Sequence, residues 1–299
     1  MKNLAAKSFT ALAALALAAA PCHALTVICN YVPVGSTIPG IGTSRAINPA
    51  LCHPDGGASI DLLMFKHTVL AGAIYWTGIY TFSTSDTLTI DYGLCDASNL
   101  PTGAVAGSGP SGFVTSGPGT GNINRCSLGI SVSHNFYLDP DTYTWNEYGT
   151  GAVTSTNVAY PGHPGQFVED ERFTTSGGAG DASFSDLFDI VMHEIGHELG
   201  MSSGSTKYNN ETLDGDIDVT AGRPIPGISW LSNDHRGHLT YTGQPHSLMY
   251  PNDQTGQRKW PSQADISCIA QIEGWWVGAW DWAPGGGGPQ GLAANNPPH

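Results

Sequence analysis

The stretch Ser185–Gly200 constrains the fold more than any other part of this 299-residue chain. Leu187, Ile190, Val191, Ile195 and Leu199 recur at helical spacing and form one apolar stripe that has to pack on a core. Ser185 or Asp186 supplies a cap before the stripe, and Gly200 ends it. The same stretch carries His193-Glu194-Ile195-Gly196-His197. Residues four apart on a helix stand one turn apart on one face. Both imidazoles can therefore reach one zinc ion, while Glu194 stands beside it, free to act on a water. Two surface histidines on an ordinary helix are the plainer reading; the signs of export and the downstream motifs favour the metal.

The remainder is rich in Gly (39) and Pro (20) and sparse in charge, which suits an extracellular domain with many loops and much β structure. Thr26–Val32 reads as a first strand, most of Ser59–Tyr80 as a helix and Thr87–Tyr92 as an alternating strand. Residues 101–124 are dominated by Gly, Ser and Pro and read as loop. Ala152–Tyr160 and Gln166–Thr174 look like two short strands around the turn Pro161–Gly165. Residues 201–248 lack clear periodicity. Ser262 starts a last helix with Asp265 as its capping-box partner, and Gly274 stops it. No internal repeat is visible.

Lys2 and Lys7 precede the apolar run Thr10–Ala20, and Pro21 breaks it before Cys22-His23-Ala24. This is the pattern of a secretory signal peptide over residues 1–24, cut near Ala24. The run is too short to span a bilayer and no later stretch qualifies, so no membrane anchor is expected. Without Lys2 and Lys7, nine basic residues face 25 acidic ones, a net charge of −16. Such acidity sets aside nucleic acid and anionic membranes as partners, and it can attract cations such as calcium. Export makes disulfides plausible. Sequence order suggests Cys29–Cys52 and Cys95–Cys126, with Cys268 unpaired in the last helix. Residues 25–283 form one domain, and 284–299 a flexible Gly/Pro-rich tail.

His193-Glu194-Ile195-Gly196-His197-Glu198-Leu199-Gly200 resembles the active-site helix of the metzincin metalloproteases, above all the matrixins. Ser247-Leu248-Met249-Tyr250-Pro251 resembles their Met-turn, the tight turn beneath the zinc, and Pro261–Gly274 their closing helix. Val158-Ala159-Tyr160-Pro161-Gly162, with Phe167 and Glu169–Thr174, resembles the matrixin edge strand and the strand after it. The likeness covers most of residues 25–283 and is specific over about 155–276. It implies an α+β fold: a twisted mixed β-sheet with an active-site helix, a Met-turn and a C-terminal helix. It also implies that a peptide substrate lies along Val158, Ala159 and Tyr160, and that Met249 packs under the metal.

Two departures stand out. The matrixin third zinc histidine lies six residues after the second, where this chain has Ser203, whose hydroxyl is a poor zinc ligand. Gln166 and Val168 replace ligands of a structural zinc and a calcium, although Glu171 is retained. A catalytic zinc needs three protein ligands and a water. Leishmanolysin and bacterial relatives insert a long segment here and take the third histidine from its far end. Fifty-one residues separate His197 from Met249, and Asn233–Leu239 lies in the corresponding place. His238 is the expected ligand because apolar Leu239 can anchor it to the core, 11 residues before Met249. His235, between Asp234 and Arg236, is the second choice, and His246 sits too close to the turn.

The expectation is a secreted, monomeric zinc endopeptidase acting on protein or peptide substrates, with Glu194 as general base. Competing readings are a gluzincin using Glu211, and a non-catalytic adhesin or carbohydrate-binding protein that keeps a zinc site. Gly200-Met201-Ser202-Ser203-Gly204 matches a serine-hydrolase motif but follows a helix instead of preceding one. Asp214, Asp216 and Asp218 alternate like a calcium loop, yet Val219 and Ile225 exclude an EF-hand. Trp275/Trp276 and Trp280/Trp282 are better suited to packing the last helix than to a carbohydrate platform.

Overall fold

The computed structural model describes residues 25–48, 52–54, 62–77, 79–81, 87–116, 120–139, 142, 153–159, 166–173, 184–220, 225–240, 247–251 and 255–277. The expected leader, the turn Pro161–Gly165, Tyr160, His246, Trp280, Trp282 and the tail lie outside them. The chain runs β1 (Thr26–Tyr31), β2 (Thr37–Ile38), β3 (Gly42–Thr43), β4 (Cys52–Pro54), α1 (Leu62–Thr77), β5 (Tyr80–Thr81) and β6 (Thr87–Cys95). There follow β7 (Ala106–Phe113), β8 (Ile123–Ser131), β9 (Phe136–Leu138), β10 (Val153–Ala159), β11 (Gln166–Phe173), β12 (Ser185–Asp186) and α2 (Leu187–Glu198). The last part holds α3 (Thr206–Glu211), β13 (Asp216–Asp218), β14 (Trp230–Ser232), β15 (Gln257–Lys259), α4 (Gln263–Glu273) and β16 (Trp276–Val277). This is a mixed α/β fold with both parallel and antiparallel pairing. No described helix is long and apolar enough to cross a membrane.

The main sheet has the order β1-β6-β8-β7. β1, β6 and β8 are parallel, and β7 runs antiparallel on the outside. Parallel neighbours need a crossover, and α1 supplies it between β1 and β6. Phe65, Val69, Ala73 and Trp76 form the buried stripe of α1. The Trp76 Nε1–H donates to the Met192 carbonyl at 2.9 Å, which fixes α1 against α2.

Residues 101–124 are not a plain loop: they hold β7 and the start of β8. The sequence Ala-Gly-Ser-Gly-Pro-Ser-Gly-Phe of β7 hides the strand, because Gly and Pro weaken sheet interiors. Its outer position explains the tolerance. Ser131 N–H donates to the Val105 carbonyl at 2.9 Å, and bonding alternates along an antiparallel pair. Val105, Gly107 and Gly109 therefore bond toward β8, while Ala106, Ser108 and Pro110 turn their backbone outward, where the missing Pro110 N–H costs no ladder bond.

The expected bridges are absent, since Cys29, Cys95 and Cys126 are each free. Parallel register sets Cys126 opposite Ile90, five residues before Cys95 on β6. That offset is about 16 Å along the strand, well beyond the roughly 7 Å Cα separation a disulfide spans. Ile90 also faces Cys29, so a whole strand separates Cys29 from Cys126. Cys268 is free and buried within α4, as expected.

Both helices read from caps form as expected. The Asp186 carboxylate caps α2 by accepting from Phe188 N (2.7 Å) and Asp189 N (3.1 Å). Ser262 and Asp265 complete the capping box of α4, and Gly274 ends it in the left-handed region (φ 71°). Fully buried Arg258 braces the start of α2, with Nε 2.7 Å from Asp186 Oδ2 and Nη2 2.9 Å from Asp139 Oδ2. Removing one partner of a buried ion pair strands the others. Arg258→Ala should therefore destabilise the fold by about 3–5 kcal/mol in denaturant unfolding. A loss below about 1 kcal/mol would show that water reaches both carboxylates.

Candidate metal centre

His193 and His197 lie one turn apart on α2, with ring centroids 4.8 Å apart and Nε2 atoms 3.1 Å apart. Each ring is oriented by a carbonyl. His193 Nδ1 meets the Leu248 carbonyl at 2.6 Å, and His197 Nδ1 meets the Met201 carbonyl at 2.6 Å. A carbonyl only accepts, so each Nδ1 carries the proton and each Nε2 lone pair faces its neighbour. Two lone pairs held this close repel unless a cation lies between them.

His238 completes the group. Its ring centroid is 5.4 Å from that of His193 and 4.8 Å from that of His197, and the ligand atoms of all three lie within 4.8 Å of one another. His238 Nδ1 meets Asp234 Oδ2 at 2.8 Å, which leaves Nε2 as the ligand. Three imidazoles, each oriented through Nδ1 by an acceptor, are the arrangement that metal-ligating histidines adopt. These residues are close enough to bind one metal ion. Burial, and then the neighbouring rings, hold His193 well below the ordinary histidine range. Burial and His238 bring His197 down to about 4. Both rings are thus neutral, as ligation requires.

His238 sits on a loop tied at several points. Asp234 Oδ1 accepts from Arg236 N (2.7 Å) and His238 N (3.1 Å), and Asp234 N donates to the His238 carbonyl at 3.1 Å. Burial raises the Asp234 carboxyl, but these bonds and the His238 ring outweigh it and leave it at about 2. Buried Leu239 donates its N–H to the Met249 carbonyl at 2.9 Å, so the anchor expected from its apolar side chain is reinforced by the backbone. His235 occupies the left-handed region (φ 56°) and lies outside the cluster.

Gly237, at φ 115°, lies against the other arm. A Cβ there would collide with the Met201 carbonyl and come within 2.7 Å of His197 Nδ1. Gly237→Ala should displace both the His197 acceptor and the His238 loop. Metal affinity should fall about 10–100-fold, the usual effect of losing an outer-shell partner. Competition with a chromophoric chelator measures it, and unchanged affinity would contradict the packing described.

Met249 is buried beneath α2, and its Sδ fills the space a Cβ at Gly196 would need. Asp265, fully buried, holds the turn. It accepts from Leu248 N (3.0 Å), Met249 N (3.0 Å) and the Ser247 hydroxyl. Asp265, the capping-box partner in α4, thereby also fixes the turn whose Leu248 carbonyl orients His193.

Glu194 is buried beside the cluster, and its backbone carbonyl accepts from the Ser108 hydroxyl of β7 at 3.1 Å. Burial pushes its carboxyl up to about 7, with hydrogen bonding from Ser108 and the nearby His238 opposing. Glu198, buried next to His197, is raised to about 8, chiefly by burial.

The strand beside α2 is β7, the outer strand of the main sheet, formed by a segment whose Gly and Pro content reads as loop. Val158 and Ala159 lie in β10, the edge strand of a separate three-stranded sheet, where it pairs with β11. Ser203 is exposed and outside the cluster, and Glu211 Oε1 accepts from Asp218 N at 3.1 Å. Among the described residues, the three histidines are the one His/Cys/Asp/Glu group with metal-ligand spacing, so Asp214, Asp216 and Asp218 form no such site. Trp275 is buried, consistent with packing of α4. No family profile matches the chain, and no curated protein matches it.

Proposed function

We propose that the chain is a secreted zinc-dependent endopeptidase of metzincin type. The observation that carries this reading is the convergence of His193, His197 and His238 beside buried Glu194, with an acceptor on every Nδ1. Three imidazoles that leave one position open suit a catalytic zinc. When bound, zinc would acidify a water and polarise the scissile carbonyl. Glu194 takes the proton of the attacking water and delivers it to the leaving amine. Burial, which raises its carboxyl above the ordinary range, favours the proton uptake this role requires.

The metzincin reading draws further support from Met249 beneath the helix, from α4 closing the turn, and from an antiparallel outer strand next to α2. The missing histidine at Ser203 is replaced by His238 from the far end of the segment between His197 and Met249. The outer edge of β7 is a second candidate for holding a peptide substrate, in addition to the expected Val158, Ala159 and Tyr160. Outward-turned backbone at Ala106 and Ser108 can bond an extended chain as an added strand, next to the Glu194 it must reach. Secretion rests on the leader pattern of residues 1–24, and zinc as the ion on the all-imidazole ligand set.

Casein cleavage tests the reading. Purified protein should cleave casein, lose the activity on chelation and regain it with zinc. Zinc binding without cleavage would instead favour a non-catalytic zinc protein.

A further inference from the structure

We propose that Tyr208 is a positioning residue for the third metal ligand, acting through the loop that carries His238. The proposal rests on the zinc-site reading above. His193 and His197 ride on a helix, whose backbone holds them in place. His238 rides on a loop, and a loop presents a ligand accurately only when its supports over-determine it.

Tyr208 is fully buried and comes from α3, within the segment that separates His197 from His238. Its hydroxyl donates to Asn233 Oδ1 at 3.1 Å and accepts from the Gly237 N–H at 3.0 Å. Asn233 Oδ1 also accepts from His235 N at 2.8 Å. One hydroxyl thus ties together the two ends of the turn Asn233–Gly237, and the second end is the residue bonded to His238. The tyrosine is itself held firmly. Ser205 caps α3, and the Lys207 ammonium bonds the Glu273 carbonyl (3.2 Å) and carboxylate (3.1 Å) at the end of α4. The chain from α4 through α3 to the His238 loop is therefore continuous. A phenylalanine would fill the same volume and supply neither bond.

The test is a double-mutant cycle in zinc affinity, read by chelator competition, on Tyr208→Phe, His238→Ala and the double variant. Tyr208→Phe should weaken zinc binding about 10–100-fold, as outer-shell losses do. It should have no further effect once His238 is alanine, because its action passes through that ring. A residue that merely fills the core would shift affinity equally in both backgrounds. Wild-type zinc affinity in Tyr208→Phe, or an equal loss in the His238→Ala background, overturns the proposal. Because the readout is metal binding, a chain that binds zinc but cleaves nothing defeats the peptidase reading and leaves this test decisive. A wild-type chain that takes up no zinc defeats both.

Discussion

His238→Ala should lower zinc affinity sharply, to the weak binding of a two-imidazole site, and remove peptide hydrolysis. Two imidazoles on one helix leave zinc two open positions and weak binding, and the third closes the tripod while keeping one position for water. The affinity loss should exceed the roughly 10–100-fold that follows loss of an outer-shell partner, because a ligand itself is removed. His235→Ala should do much less. That residue has a left-handed backbone and lies outside the cluster, and its N–H donates to Asn233 Oδ1. Ser203→Ala should do almost nothing, since the side chain is exposed and outside the group. Bound zinc and casein hydrolysis measured on the three variants separate these outcomes. Metal loss in His235→Ala but not in His238→Ala would move the ligand by three residues.

Glu194→Ala should do the opposite: metal retained, hydrolysis gone. Glu194 stands beside the ligands without being one, so the tripod survives its removal. Loss of a positioned general base costs on the order of 10²- to 10⁴-fold in rate, and more where it also orients the water. Glu194 is buried next to β7, and Ser108 bonds its backbone carbonyl, which holds this turn of α2 in place. Near-normal cleavage in this variant would remove Glu194 from the mechanism and leave the metal site standing.

The parts of the fold legible in the sequence are those fixed by local chemistry. Asp186 and Ser262 cap α2 and α4 through their own side chains, and Gly274 ends α4 because its conformation demands it. His193 and His197 are paired by helical spacing, and His238 by the apolar anchor beside it. What escaped depends on distant partners. β7 looks like a loop because an outer strand beside α2 can carry Gly and Pro at no ladder cost. The cysteine pairing failed because sequence order says nothing of parallel register, which sets Cys126 opposite Ile90. The segment 201–248 contains α3, β13 and β14, each too short for periodicity to show and held by bonds such as Tyr208 to Asn233. Nothing local marks Asp234 and Gly237 as supports. Their roles exist only once the loop lies against His197.

Zinc titration of the chelator-stripped protein, followed by casein hydrolysis, addresses the central claim most directly. Activity should be absent without metal, rise in proportion to added zinc and level off at about one ion per chain, the stoichiometry of a single three-imidazole site. Full cleavage by the metal-free protein, or saturation of the site with no cleavage at any zinc level, would contradict it.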